Sequence, residues 1–161
     1  MLFRSHLRAA AGDSAHLVFT GKDVFGILGT YVLSFDAGGS PGPSLPIPGS
    51  GEGAMFPDVA GDGTSFVFRR ADGHILWRTA GDVADLGPGS EPAISADGST
   101  VCFVSGGTVM IADRVAGTVL PIGDFAPGVA SSPALSGNGR FVVFRSTRSE
   151  ERRVGKECRS R

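Results

Sequence analysis

The chain has 161 residues, of which 25 are glycine and 10 are proline, while only 19% are charged and 41% are hydrophobic. This length suits one domain, and the composition excludes a disordered acidic chain, a helical bundle and, because the glycines have no three-residue period, collagen. The formal net charge is −1, and the apolar runs are far shorter than the roughly 18 residues of a membrane-spanning helix, so we predict a strand-rich, turn-rich protein without membrane insertion.

The two ends of the chain differ from the rest in composition. Residues 148–161 read RSEERRVGKECRSR, with six basic and three acidic side chains. This string resembles the translated read-through of a common sequencing adapter, and LFRS at residues 2–5 resembles the end of the partner adapter, so we expect residues 1–5 and 148–161 to be adapter-derived. Between them, eight basic and 13 acidic side chains give a charge of −5. No basic stripe remains there, and a nucleic-acid partner is therefore not expected.

An internal repeat organises the stretch between these ends. Four segments align as AGDSAHLVF, AGDGTSFVF, SADGSTVCF and SGNGRFVVF, and each has an Asp or Asn six residues before a Phe. Asp-Gly and Asn-Gly adopt positive φ at low cost, which a tight turn between antiparallel strands requires. We therefore predict a β-hairpin in each copy. The turn residues would be Asp13, Asp62, Gly63, Asp97, Gly98, Asn138 and Gly139, and the core residues Phe19, Phe68, Phe103 and Phe144.

Further short apolar runs follow these four repeated segments. YVLSFD (31–36), HILWR (74–78), TVMIAD (108–113) and TVLPIG (118–123) are rich in β-branched and aromatic residues and are bounded mainly by Gly or Asp. Such runs predict strands that are covered on both faces. One repeat is then a four-stranded antiparallel sheet of about 40 residues, which is the size of a propeller blade. A sheet of this kind hides both apolar faces only when blades stack around an axis.

The spacing of the copies locates their boundaries. A proline precedes the Phe by eleven residues in the last three copies, at Pro57, Pro92 and Pro133, but is missing from the first. The first copy carries a seven-residue insertion around residues 23–28, and the second copy is six residues short after its third strand. We place a partial propeller over residues 6–147, with repeats near residues 11–53, 54–90, 91–129 and 130–147.

Two of the copies, PAISADGSTVCF (92–103) and PALSGNGRFVVF (133–144), carry a family resemblance. Their pattern of Pro-x-Leu/Ile-Ser-x-Asp/Asn-Gly-x-x-Val-x-Phe resembles the WD-like repeat of TolB-type β-propellers. The second copy departs from it, with Ala60 in place of the serine. The resemblance implies an all-β fold, an incomplete β-propeller of about three and a half four-stranded antiparallel blades. It also implies a bacterial repeat protein of the periplasm or the extracellular space.

Several short matches to catalytic signatures have simpler explanations. Residues 38–42, GGSPG, fit the nucleophile elbow, but Pro41 has no backbone N–H for the oxyanion hole. Residues 49–54 match a loose dinucleotide fingerprint without a preceding strand or a following helix. We predict a linker over residues 38–53, where ten of 16 residues are Gly or Pro. Residues 58–69 predict an Asp-Gly turn and not a calcium loop, because two of the ligand positions lack an oxygen donor.

The remaining candidate residues are isolated. His16 and His74 have no second His or Cys at ligand spacing, so we expect no metal and no other cofactor. Cys102 is the only cysteine between the two ends, which excludes a disulfide there, and it takes a repeat position that valine occupies in the other copies. We predict that it is a buried apolar residue. Trp77 and Tyr31 are predicted to pack between blades or to offer aromatic surface to a partner.

Two functions from different classes remain open. The resemblance implies a noncatalytic scaffold that binds a protein or peptide partner through its loops or its axial channel. The alternative is a propeller that gates a serine peptidase or another hydrolase whose catalytic domain lies beyond Thr147. We predict no catalytic, cofactor-binding or metal-binding residue within the chain. Residues 6–147 alone are expected to oligomerise or aggregate, because a strand over residues 140–145 would keep an open edge with apolar side chains beside it.

Overall fold

The computed structural model describes the backbone of residues 5–9 and the full structure of residues 15–122 and 130–147. The turn predicted at Asp13 and almost all of the adapter-like ends lie outside the described residues. Within the described part, all regular structure is β-strand. None of it is a helix with the length and apolarity needed to cross a membrane.

The strands of the described residues form four antiparallel sheets in which neighbours along the chain are also neighbours in the sheet. Blade 1 contains β1 (Ser5–Ala9), β2 (Ala15–Lys22), β3 (Leu28–Phe35) and β4 (Pro41–Pro46). Blade 2 contains β5 (Met55–Val59), β6 (Phe66–Arg69), β7 (His74–Arg78) and β8 (Val83–Pro88). Blade 3 contains β9 (Ser90–Ile94), β10 (Thr100–Ser105), β11 (Thr108–Asp113) and β12 (Thr118–Pro121). The fourth sheet pairs β13 (Ala130–Leu135) with β14 (Val142–Ser146).

The sheets meet at their first strands. β9 contacts both β5 and β13, the first strands of the sheets on either side of it, whereas the last strands β4, β8 and β12 are in contact mainly with their own sheets. Sheets that converge at the first strand and diverge at the last are blades around an axis. The structure therefore confirms the all-β prediction and is an incomplete β-propeller.

The core consists of layers between adjacent blades. In β6, the three consecutive residues Phe66, Val67 and Phe68 are all buried. Phe66 and Phe68 belong to the layer shared with blade 1, and Val67 to the layer shared with blade 3, because successive side chains of a strand point to opposite faces. The same alternation in β10 places Phe103 toward blade 2 and Cys102 toward the fourth sheet. This covering of both faces explains the continuous apolar runs in the sequence.

Blade 1 differs from the sequence-based expectation at both of its edges. The linker prediction over residues 38–53 is wrong for residues 41–46, which form β4 and pair with β3. All six residues of β4 are exposed, and an edge strand tolerates proline because its outward N–H positions need no partner. At the other edge, β1 starts at Ser5, before the predicted repeat start near residue 11. The first copy lacks the proline that marks the first strand of the other blades.

Candidate functional site

The Asp-Gly and Asn-Gly residues occupy the turns between the first and second strands. Gly63, Gly98 and Gly139 all have φ between 67° and 68°, the left-handed region that favours glycine. In the turn of blade 3, the hydroxyl of Ser95 donates to Oδ1 of Asp97 over 2.5 Å and accepts the N–H of Thr100 over 3.0 Å. The serine and the acid of the repeat pattern are thus the two parts of one turn, and their role here is structural.

In the turn of blade 2, a serine at a different position donates its hydroxyl to the turn aspartate. Ala60 stands where the pattern has serine, and Ser65 instead donates its hydroxyl to Oδ2 of Asp62 over 2.7 Å. Burial raises the pKa of Asp62, but hydrogen bonds from Ser65 and Thr64 outweigh it and hold the pKa below its usual value. The Ser95 hydroxyl, with the backbone N–H of Ser99, lowers the pKa of Asp97 in the same way.

Replacing Asp97 separates the charge of this turn from its hydrogen bonds. Because the pKa of folded Asp97 is lowered, its contribution to stability is present above the unfolded pKa and is lost as the pH falls through the folded value. We expect Asp97→Ala to lower the free energy of unfolding by about 1 kcal/mol at neutral pH. Asp97→Asn should retain most of the stability, since Asn138 accepts the equivalent bonds. Urea unfolding of both variants from neutral to acidic pH measures this, and a turn without this role would give Asp97→Ala the stability and pH dependence of the parent.

A bulge recurs on the first strand of each sheet after blade 1. In β5, Phe56 and Pro57 together oppose the single residue Phe68, and β9 and β13 repeat this two-against-one pairing. The residue before the proline has positive φ every time: 55° at Phe56, 51° at Glu91 and 52° at Ser132. Non-glycine residues in this region are strained, and they persist where the surrounding structure holds them. The eleven-residue spacing from Pro to Phe therefore encodes a bulge beside the axis.

The strain at this bulge is testable with glycine. Ser132→Gly should raise the free energy of unfolding by about 1 kcal/mol, because glycine adopts positive φ without strain. The adjacent Ser131→Gly lacks that relief and should lower the free energy of unfolding by about 0.5–1 kcal/mol. Thermal unfolding of the two variants decides, and equal losses in both would show that the backbone at Ser132 is not strained.

Carboxylates join the blades next to these bulges. Asp58 in β5 is 1% exposed, and its Oδ2 accepts the backbone N–H of Ile94 in β9 over 3.0 Å. Its Oδ1 accepts the N–H of Val59 over 2.9 Å. One blade further on, the carboxylate of Glu91 accepts the N–H of Ser132. Both acids therefore satisfy backbone donors of the following blade, which fixes the first strands side by side.

The insertion in the first repeat forms the turn between β2 and β3. Oδ1 of Asp23 accepts the N–H groups of Phe25 and Ile27 over 2.8 and 2.9 Å. The N–H of Asp23 also donates to the carbonyl oxygen of Ile27, and the N–H of Gly26 to that of Asp23, both over 3.0 Å. On this fixed turn, Val24 is 93% exposed and Phe25 is 85% exposed. The spacing of the repeats located the insertion, but it did not single out these two side chains.

The isolated candidates His16, His74 and Cys102 have structural surroundings. Nδ1 of His16 lies 2.9 Å from Oγ of Ser34, directly across the sheet, and Nδ1 of His74 lies 2.9 Å from Oδ1 of Asp85. Burial, with the nearby charge of Asp58, raises the pKa of the Cys102 thiol to about 12, so the thiol is protonated at neutral pH. In the described part of the chain, no group of three or more His, Cys, Asp or Glu residues could hold a metal ion.

The predicted core phenylalanines fall into two classes. Phe68 and Phe103 are each 1% exposed within the layers between blades. Phe19 is half-buried and stacks on Tyr31 with ring centroids 5.7 Å apart, and Phe144 is half-buried against the layer around Cys102. The outer two are less enclosed because the first and last described sheets have a neighbouring blade on one face only.

Comparison with known proteins agrees with the fold. No family model matches the sequence, and no curated protein matches it. Among solved structures, the chain is similar to a candidate TolB protein from Agrobacterium tumefaciens, with a TM-score of 0.62 and 22% sequence identity. The match covers 84% of this chain and 51% of that one, so this chain spans about half the length of its solved neighbour. At this level of identity, the chain shares a TolB-like β-propeller fold.

Proposed function

We propose that this chain is part of a noncatalytic β-propeller scaffold that binds a protein or peptide partner. The observation that carries this proposal is the β2–β3 turn, where Val24 and Phe25 are exposed on a backbone held by Asp23. Two adjacent exposed apolar side chains on a fixed backbone offer a contact surface, and aromatic side chains such as that of Phe25 carry much of the energy of protein interfaces. A preformed turn also loses little conformational entropy when it binds.

The rest of the chemistry favours binding over catalysis. The two axial acids, Asp58 and Glu91, accept backbone N–H groups, and the Cys102 thiol is buried and protonated. Ser40 is followed by Pro41, which begins strand β4 and has no backbone N–H for an oxyanion hole. A partner bound at the β2–β3 turn would contact the end of a hairpin whose two strands are paired within blade 1.

Peptide selection tests this proposal without requiring the identity of the partner. Peptides selected from a displayed random library would be labelled, and their affinity for the protein measured by fluorescence anisotropy. We expect Phe25→Ser to weaken the best peptide by about tenfold or more, since aromatic side chains carry much of the energy of small interfaces. Val115→Ser is the matched control, because Val115 is 91% exposed at the turn after β11.

Two outcomes would contradict the proposal. One is selected peptides that bind the parent, Phe25→Ser and Val115→Ser equally well. The other is an uninterrupted source gene that encodes a nucleophile elbow followed by Asp and His downstream of residue 147, which would favour a propeller that gates a hydrolase.

A further inference from the structure

A cleft lies between the β2–β3 turn and the segment that follows β4. Its lining combines Asp23 and Ile27 of the turn, residues 28–31 at the start of β3, and residues 46–52. Its volume is about 340 Å³, which is at the small end of the range for ligand sites. The two exposed side chains of the turn come between Asp23 and Ile27 in the chain, so they stand at the edge of this cleft.

Apolar side chains form part of the lining. Ile27 is 38% exposed, and Tyr31, Pro46 and Pro48 also contribute. Tyr31 lies opposite Pro46 in the register of β3 and β4, so an aromatic ring and a proline ring are neighbours on the same sheet. This surface suits an apolar side chain of a partner.

The backbone around the cleft is fixed. The N–H of Ile47 donates to the carbonyl oxygen of Thr30 over 2.9 Å, and the N–H of Gly53 donates to that of Leu28 over 2.7 Å. These bonds hold both ends of the segment after β4 against β3, while Asp23 holds the turn. A cleft whose parts are already in place loses little conformational entropy when a ligand binds.

The charged residues of the lining, Asp23 and Glu52, are both acidic. Oδ1 of Asp23 accepts two N–H groups of the turn, but its Oδ2 has no hydrogen bond or ion pair within the part of the chain that the structure describes. The carboxylate of Glu52 also has no partner among the described residues. Lys22 precedes Asp23, and Nη1 of Arg78 donates to the carbonyl oxygen of Pro48 over 3.1 Å, but neither cation belongs to the lining. The lining therefore favours a positively charged ligand.

We propose that this cleft binds an extended peptide in which basic side chains stand on both sides of an apolar one. This inference rests on the proposed function, because it specifies the partner that contacts Phe25. The apolar side chain would occupy the cleft beside Tyr31, with Phe25 at its edge. Lys or Arg side chains would donate charge-assisted hydrogen bonds to Oδ2 of Asp23 and to Glu52. The two acids would also reject an acidic peptide, since like charges across an interface repel.

Three displayed peptide libraries test this chemistry. They share randomised apolar central positions and differ only in the fixed flanking residues, which are Lys, Gln or Glu. We expect the protein to select peptides mainly from the Lys-flanked library. In fluorescence anisotropy, the best of these should bind about tenfold more tightly than its Gln-flanked copy. Its affinity should fall when the salt concentration is raised from about 0.05 to 0.5 M, because exposed charges are screened.

Isosteric variants assign the charge preference to the cleft. Asp23→Asn keeps the acceptor oxygen that holds the turn, and Glu52→Gln keeps the shape of the side chain. Each should weaken binding of the Lys-flanked peptide about threefold, and the double variant about tenfold, without changing the affinity of the Gln-flanked copy. Asp36→Asn is the matched control, because Oδ1 of Asp36 also accepts a turn N–H, that of Ser40 over 2.8 Å, in the β3–β4 turn of the same blade. Thermal unfolding verifies that each variant is folded.

The inference is overturned if the three libraries yield equally good binders, or if the double variant binds the Lys-flanked peptide like the parent. Either result leaves the proposed function intact when Phe25→Ser still weakens the selected peptides. Loss of affinity in the acid variants but not in Phe25→Ser would contradict the proposed function and support the cleft as a site for basic peptides. Self-association that Glu52→Gln weakens, without peptide binding, would place a second copy of the chain in the cleft and overturn the inference.

Discussion

Replacing Phe103 with alanine is expected to lower the free energy of unfolding by about 3–5 kcal/mol. Phe103 is 1% exposed and packs between blades 2 and 3 beside Val67 and Ile75. The backbone also closes around its ring, since a Cβ added at Gly89 would lie 2.7 Å from it. The site is therefore poorly able to collapse around a smaller side chain, and the cavity would remain. Urea unfolding at neutral pH measures the loss.

Phe141→Ala is the matched control for this prediction. Phe141 precedes β14 and is 69% exposed, so its truncation should change the free energy of unfolding by no more than about 0.5 kcal/mol. Similar losses for the two variants would show that β10 does not lie between two sheets.

Replacing Asp58 with alanine is expected to lower the free energy of unfolding by about 2–3 kcal/mol. The carboxylate is buried at the axis and accepts the N–H groups of Val59 and Ile94, one from its own blade and one from the next. Alanine would leave both donors buried without this acceptor. The loss is again measured by urea unfolding.

Asp58→Asn distinguishes hydrogen bonding from packing at this position. Asparagine has nearly the same shape and keeps one acceptor oxygen, so its destabilisation should be about half that of alanine. If Asn and Ala are equally destabilising, a single acceptor oxygen is not sufficient, and both oxygens of the carboxylate are required to join the blades. If neither is destabilising, the blades are not joined through Asp58.

The central strands and the turns of each repeat are the part of the fold that the sequence predicts. β7 and β11 have the same bounds as the apolar runs HILWR and TVMIAD, because strands covered on both faces are continuously apolar. The turns are equally predictable from the sequence, since Asp-Gly and Asn-Gly have few alternatives to a positive-φ turn. Local composition and local structure agree at these positions.

Edge strands follow different rules, which is why the sequence does not predict β4. Its residues, PGPSLP, are all exposed and pair on one side only, so neither apolarity nor the absence of proline identifies them. The sequence does not predict β1 for a related reason, because the first repeat lacks the proline of the other three. Sequence patterns identify central strands better than the edges of a blade.

Contacts between blades could not be predicted from the sequence. The bond from Ile94 to Asp58 joins residues 36 positions apart, and nothing in the repeat pattern distinguishes Asp58 from the alanines at the equivalent positions of the next two copies.

Native-state hydrogen exchange measured by NMR tests most directly whether the sheets stand side by side around an axis. The N–H of Gly61 donates to the carbonyl of Ala96 over 2.7 Å, and the N–H of Ala96 donates to that of Gly137 over 2.8 Å, so a line of hydrogen bonds joins blade 2, blade 3 and the fourth sheet. Together with Ile94, these amides should exchange as slowly as those in the centre of β10. Rapid exchange at Gly61, Ala96 and Ile94, with slow exchange inside each sheet, would show independent sheets and contradict the propeller.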